Sequence, residues 1–137
     1  MGEKKAEVPV GKELVRMTGI MKEFPGVKAL DNVKLDLYAG EVLALLGENG
    51  AGKSTLMKIL SGVYQRDDGE IILFGNKIGE WDANKAKNAG VSIIHQELNM
   101  CTHLSVAENI FLGRELIKNG RLDNERMNQE TKEILHK

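Results

Sequence analysis

Nine consecutive residues, 47–55, read GENGAGKST and combine three glycines with a lysine and two hydroxyl side chains. Glycines let backbone N–H groups turn inward without a Cβ in the way, and a helix that follows adds its own N–H groups. Such a loop can hold an anion, with Lys53 as a charge for the β- and γ-phosphates and Ser54 as a hydroxyl ligand for Mg²⁺. The predicted phosphate-binding loop consists of Gly47, Glu48, Asn49, Gly50, Ala51, Gly52, Lys53, Ser54 and Thr55.

Two elements must hold this loop in place. Residues 41–46 are apolar at nearly every position, which predicts a strand buried on both faces in the middle of a parallel sheet. After the loop, Leu56, Ile59 and Leu60 have helical spacing, and Gly62 is the predicted stop. A strand before and a helix after are the context that G-x-x-x-x-G-K-[ST] requires. They favour phosphate binding over the alternative, a glycine-rich structural turn with an exposed lysine.

The rest of the chain contains further short predicted strands and helices, and the predicted fold class is α/β. Alternating apolar residues predict a strand over 13–24 and a half-exposed strand at 33–38, with a turn at 24–26. Further predicted elements are strands at 70–74 and 91–94, a short polar helix at 82–88, a helix started by the capping box Ser105–Glu108, and a last amphipathic helix from Asp123 that places Met127, Ile134 and Leu135 on one side.

Composition limits the classes of function. The 137 residues are about one domain's worth, and 19 basic against 20 acidic residues give a formal net charge of -1. This balance indicates no nucleic-acid partner. No apolar run approaches the ~18 residues that span a membrane, and the start of the chain lacks the apolar region of a secretory signal. The single cysteine, Cys101, excludes an internal disulfide.

Several separated motifs identify a family resemblance. They are FPGVKALD at 24–31, GEV at 40–42, GENGAGKSTLMKILSG at 47–62, DGEI at 68–71, IHQELN at 94–99 and SVAENIFLG at 105–113. In this order they resemble the N-terminal part of the ATP-binding subunit of an ABC transporter, in detail the tandem-cassette ATPases of bacterial ribose, xylose and galactose importers. The resemblance implies a partial P-loop NTPase (ABC cassette) with N-terminal antiparallel β strands, a P-loop strand-loop-helix and the start of the helical subdomain.

The resemblance assigns roles to three residues outside the loop. Phe24 matches the aromatic residue that stacks on adenine, with Val27 beside the base; the alternative is a core or turn aromatic. Gln96 matches the Q-loop glutamine, which contacts Mg²⁺ or the attacking water and links the site to the membrane subunit; the alternative is an ordinary polar residue. His95 is a decoy, because the family's switch histidine lies farther downstream than this sequence reaches.

The resemblance also implies parts that these 137 residues do not contain: the apolar Walker B strand ending in Asp-Glu, the LSGGQ signature and the switch histidine. We therefore expect a truncated cassette with a loose arm at 1–11, a partial ATPase core at 12–96 and the start of the helical subdomain at 97–137. The last helix reaches the end of the sequence without a stop signal.

The implied function is to bind Mg-ATP in an ATPase that energises monosaccharide import, on the cytoplasmic face of a bacterial membrane. The region after Gln96 would contact the permease, and the chain alone would not turn over ATP. Exposed strand edges would favour self-association. Two alternatives remain: a non-enzymatic module that docks on the permease, and a small P-loop kinase, which the scattered arginines do not favour.

Overall fold

The computed structural model describes residues 9–50, 52–95 and 100–136. The chain divides between Ile93 and Ile94 into an N-terminal and a C-terminal unit. The elements of the N-terminal unit are β1 (Glu13–Phe24), β2 (Val27–Tyr38), α1 (Lys53–Leu60), β3 (Asp68–Leu73), β4 (Asn76–Lys77) and α2 (Ala83–Asn88). Within the described residues, no helix is long and apolar enough to cross a bilayer.

The four strands form one antiparallel sheet in the order β2-β1-β3-β4. The pairing of β1 with β2 runs from Glu13 opposite Tyr38 to Phe24 opposite Val27, and Pro25 and Gly26 make the turn between them. The strand predicted over 13–24 and the turn after it are confirmed. Because these strands are neighbours in sequence, their alternating pattern contains most of the information that their pairing needs.

One core joins the sheet to α1. Met17, Ile20 and Ile71 are fully buried in the sheet, and Leu56 and Ile59 of α1 are buried in the same cluster. The helical spacing seen in the sequence therefore corresponds to the buried face of α1. Burial of apolar surface on this scale is the main favourable contribution to folding.

The predicted stop at Gly62 is confirmed. The N–H of Val63 donates to Lys58 O at 2.8 Å, and the N–H of Gly62 donates to Ile59 O at 3.1 Å, which is the Schellman pattern. Gly62 has a φ of 76°, and a Cβ there would lie 2.3 Å from the backbone of Asp82. Both the left-handed backbone and the close approach require glycine.

The strand predicted at 41–46 does not form, and its predicted burial is wrong. Residues 41–48 have no regular secondary structure and are exposed, with Val42 at 98% and Leu46 at 93% exposure. A central parallel strand is defined by hydrogen bonds to strands on both sides, and no described residue pairs with this segment. The strand predicted at 91–94 is absent for the same reason: Val91 packs on the core, but Ile94 is 97% exposed.

The C-terminal unit contains α3 (Val106–Phe111), β5 (Ile117–Lys118), β6 (Arg121–Leu122) and α4 (Asn124–Leu135). Its core consists of Ala107, Phe111 and Met127. The capping box that starts α3 and the helix after Asp123 are confirmed. The predicted face of the last helix is wrong in part, because Met127 and Thr131 are buried while Ile134 and Leu135 are exposed.

Candidate functional site

The loop after residue 46 is closed by its own lysine. Lys53 is the first residue of α1, and its ammonium donates to Gly47 O at 2.5 Å and to Glu48 O at 2.8 Å. The side chain therefore ties the end of the loop to its beginning. An ammonium group is a compact positive charge with three donors, so the same side chain can also interact with a phosphate oxygen at this loop.

Gly52 brings the end of the loop into close contact with the sheet. It is the N-cap of α1 with a φ of 89°, and a Cβ at this position would lie 2.5 Å from Ala29 O and 2.7 Å from Leu30 Cδ2. Both contacts are with β2. The loop thus enters the helix directly against a paired strand, which fixes the position of the first helical N–H groups.

The N-terminus of α1 differs from those of the other described helices. The side chains of Asp82, Ser105 and Asp123 accept a hydrogen bond at the starts of α2, α3 and α4, but Gly52 has no side chain that could do so. The first turn of α1, like that of α2, contains no acidic residue. Its first N–H groups and the positive end of the helix dipole are therefore directed at the loop, which suits a bound anion.

The hydroxyl groups of the motif lie in the first turn of α1, where Ser54 is exposed and Thr55 is half-buried. Among the residues that the structure describes, no three His, Cys, Asp or Glu side chains cluster as metal ligands. Mg²⁺ typically keeps several waters and takes one or two protein oxygens together with substrate phosphates. The Ser54 hydroxyl therefore fits an ion that arrives with the phosphates.

Phe24 lies on the β1–β2 hairpin, which is also the part of the sheet that the loop contacts. It is half-buried at the end of β1, opposite Val27, which is 60% exposed. Leu30, which Gly52 approaches, is three residues farther along β2, or about 10 Å at the rise of a strand. The predicted base-stacking side chains and the phosphate loop therefore lie beside positions of β2 that are only three residues apart.

An aromatic neighbour of Phe24 was not anticipated from the sequence. The rings of Tyr64 and Phe24 form an edge-to-face pair, with centroids 5.5 Å apart and planes at 69°. Tyr64 follows α1 and has no local pattern that marks it. The two rings meet because the segment that follows α1 packs against the end of β1.

Two of the predicted site residues, Ala51 and Gln96, lie outside the described residues. Their roles therefore stay predictions. His95, interpreted as a decoy, is exposed and belongs to no helix or strand.

The sequence profile of the ABC transporter family matches residues 30–137. The chain belongs to this family. It is 55% identical over 124 residues to the ribose import ATP-binding protein RbsA of Caldanaerobacter subterraneus subsp. tengcongensis, covering 90% of this chain and 25% of that protein. It is 56% identical over 126 residues to the galactose/methyl galactoside import ATP-binding protein MglA 1 of Photobacterium profundum, with the same coverage. The ABC chain thus spans about a quarter of the length of these curated relatives.

Solved ABC cassettes share the fold. One ATP-binding cassette of an ABC transporter aligns with a TM-score of 0.75 at 26% identity, covering 90% of this chain and 53% of that one. A dimeric cassette bound to ADP and Pi aligns with a TM-score of 0.72 at 23% identity, covering 90% of this chain and 56% of that one. The fold of this ABC chain is therefore α/β and corresponds to part of a P-loop ATPase cassette, as the sequence predicted.

Proposed function

We propose that this chain binds Mg-ATP as the N-terminal part of an ABC ATPase that energises the import of a monosaccharide. The observation that carries the proposal is the loop closed by Lys53 at the uncapped N-terminus of α1. The relatives named for ribose and galactose import support the class of transported substrate.

In this proposal the loop residues 47–55 surround the phosphates with backbone N–H groups. Lys53 exchanges its carbonyl partners for β- and γ-phosphate oxygens, and Ser54 contributes its hydroxyl to Mg²⁺, with Gln96 as a second ligand. The ion, when bound, neutralises charge on the phosphates. Phe24 stacks on the adenine and Val27 packs beside it, an interaction worth roughly 1–3 kcal/mol per base.

We further propose that hydrolysis needs residues beyond these 137, because the Walker B carboxylates and the signature motif of the family are not in the sequence. Gln96 would take part in positioning the attacking water once those groups are present. In the arrangement proposed here, residues 12–96 form the core, and 97–137 begin the helical subdomain that contacts a membrane permease on the cytoplasmic face.

The test is equilibrium binding of Mg-ATP to the wild-type chain, Lys53→Ala and Lys34→Ala, with phosphate release measured in the same samples. Lys34 is an exposed lysine on β2 and serves as the matched control for the loss of one positive charge. A charge-assisted hydrogen bond is worth about 1.5–3 kcal/mol, so we expect Lys53→Ala to weaken binding roughly tenfold or more.

Lys34→Ala should bind as the wild type does. Absence of saturable binding in the wild-type chain would contradict the binding proposal. Continuous phosphate release that disappears in Lys53→Ala would contradict the proposal that hydrolysis needs further residues.

A further inference from the structure

The Phe24 ring is contacted by side chains from two elements. The ring of Tyr64, which follows α1, forms an edge-to-face pair with it at 5.5 Å between centroids. Lys22, two residues before Phe24 on β1, places its ammonium 5.5 Å from the centroid of the Phe24 ring. Edge-on aromatic pairs and cations over ring faces are both favourable arrangements, so each contact restrains the ring.

Lys22 is itself held in place. Its ammonium donates to Asp67 Oδ1 at 2.6 Å, and the other carboxylate oxygen of Asp67 accepts from the backbone N–H of Glu23 at 2.6 Å. The N–H of Asp67 in turn donates to Met21 O at 2.9 Å. The segment that carries Tyr64 is thereby fastened to the end of β1 that carries Phe24.

Tyr64 is also fastened to α1. Its N–H donates to Lys58 O at 3.1 Å, and the Lys58 ammonium lies 5.1 Å from the centroid of the Tyr64 ring. Tyr64 is half-buried and packs on the core. Since α1 starts at Lys53, the same helix has the phosphate loop at one end and the support of Phe24 at the other, about 12 Å apart for eight residues.

We propose that Tyr64 is a positioning residue for the recognition of adenine: its ring holds Phe24 in the orientation that stacks on the base. The inference rests on the proposed binding of ATP. A ring that is already ordered loses less conformational freedom when the base arrives, so preorganisation raises affinity for the base-containing ligand. Tyr64 acts through Phe24 and contributes nothing to the phosphate end of the site.

The experiment measures the dissociation constants of Mg-ATP and of Mg-tripolyphosphate, which has the phosphates without adenosine. The variants are Tyr64→Leu, Tyr64→Met, Tyr64→Phe and Phe24→Leu. Tyr38→Leu removes the chain's other tyrosine, at the far end of β2, and is the matched control. Leucine and methionine both keep an apolar side chain on the core, so one of them serves if the other does not fold.

We expect Tyr64→Leu and Tyr64→Met to weaken Mg-ATP binding about three- to tenfold, because a Phe24 ring without its support must be ordered when the base binds, at the usual cost of immobilising one side chain. Tripolyphosphate binding should be unchanged, Tyr64→Phe should behave as the wild type, and Phe24→Leu should show a larger selective loss. Tyr38→Leu should change neither constant.

Three results would overturn the inference alone, with tripolyphosphate binding intact in the wild type. They are an unchanged Mg-ATP affinity in Tyr64→Leu and Tyr64→Met, an equal loss for both ligands in these two variants, or a loss in Tyr64→Phe as large as in Tyr64→Leu. The second would indicate a purely structural role, and the third a role for the hydroxyl. A wild-type chain that binds neither ligand would refute the proposed function, and the inference with it.

Discussion

At the residue scale, Gly52 is constrained twice. Its φ of 89° is in the left-handed region, and a Cβ would lie 2.5 Å from Ala29 O. The second constraint comes from β2 and is independent of any ligand. The glycine that the motif assigns to phosphate binding is therefore also needed to join the loop to the sheet.

The first prediction separates these two constraints. Gly50 has a φ of 87°, but a Cβ there would meet nothing within 4 Å. Gly50→Ala should therefore lower the free energy of unfolding only by the penalty of an alanine in the left-handed conformation, about 1–2 kcal/mol. Gly52→Ala adds the clash with Ala29 and Leu30 and should cost clearly more, by roughly 1–3 kcal/mol. Urea unfolding of both variants measures the difference, and equal losses would show that the approach to β2 is not tight.

At the element scale, the structure shows which elements a sequence pattern can predict. The strand over 13–24 was predicted from alternation because its partner, β2, is the next segment of the chain. The segment 41–46 was predicted as buried from its apolar run, yet a central parallel strand depends on neighbours that are distant in sequence. The apolar pattern of 41–46 predicts a buried strand where such neighbouring strands are present. The pattern does not show whether they are present.

The candidate site follows the same rule. The phosphate loop is contiguous, so Lys53 and its glycines could be read directly from their spacing. Tyr64 could not be predicted, because its proximity to Phe24 depends on where the chain goes after α1 and no spacing encodes it. In α4, Ile134 and Leu135 have the spacing of a buried face but are exposed. Periodicity could not predict this, because it does not reveal how far along a helix its packing neighbours extend.

The second prediction concerns the start of α3. Ser105 N donates to Glu108 Oε2 at 2.7 Å, and Glu108 N donates to Ser105 Oγ at 3.3 Å. Ser105→Ala removes one of these bonds, and we expect the helix to lose about 1 kcal/mol. Hydrogen exchange of the α3 amides should accelerate accordingly. Ser92→Ala, at an exposed serine outside any helix or strand, is the control and should leave the exchange unchanged.

The same capping box predicts a dependence on pH. Hydrogen bonds from the Ser105 hydroxyl and from the Ser105 backbone N–H lower the pKa of Glu108. A carboxyl group with a lowered pKa stabilises the folded state above its ordinary pKa, and this contribution is lost as the pH falls through the lowered value. Protection of the α3 amides should therefore decline at acidic pH. In Ser105→Ala, a carboxyl titration by NMR should move the pKa of Glu108 back toward its ordinary value.

At the scale of the whole molecule, the described surface contains an apolar segment that no element covers. Residues 42–46 read VLALL, and Val42 and Leu46 are almost fully exposed. The backbone of this segment also has no strand partner among the described residues. Exposed apolar side chains combined with an unpaired backbone make a surface that tends to pair with another chain. The segment leads directly into the phosphate loop, so its association would also affect the site.

The last prediction is that the 137-residue chain self-associates through this segment as its concentration rises. Static light scattering should show an average mass that increases with concentration. The double variant Val42→Lys and Leu46→Lys should suppress the increase, because charged side chains disfavour apolar and edge contacts. Val10→Lys changes a single apolar residue that is 88% exposed and lies outside the segment, so it should not suppress the increase. A constant monomer mass for the wild type at high concentration would refute the prediction. If Val10→Lys suppressed the rise in mass and the double variant did not, the contact would lie outside residues 42–46.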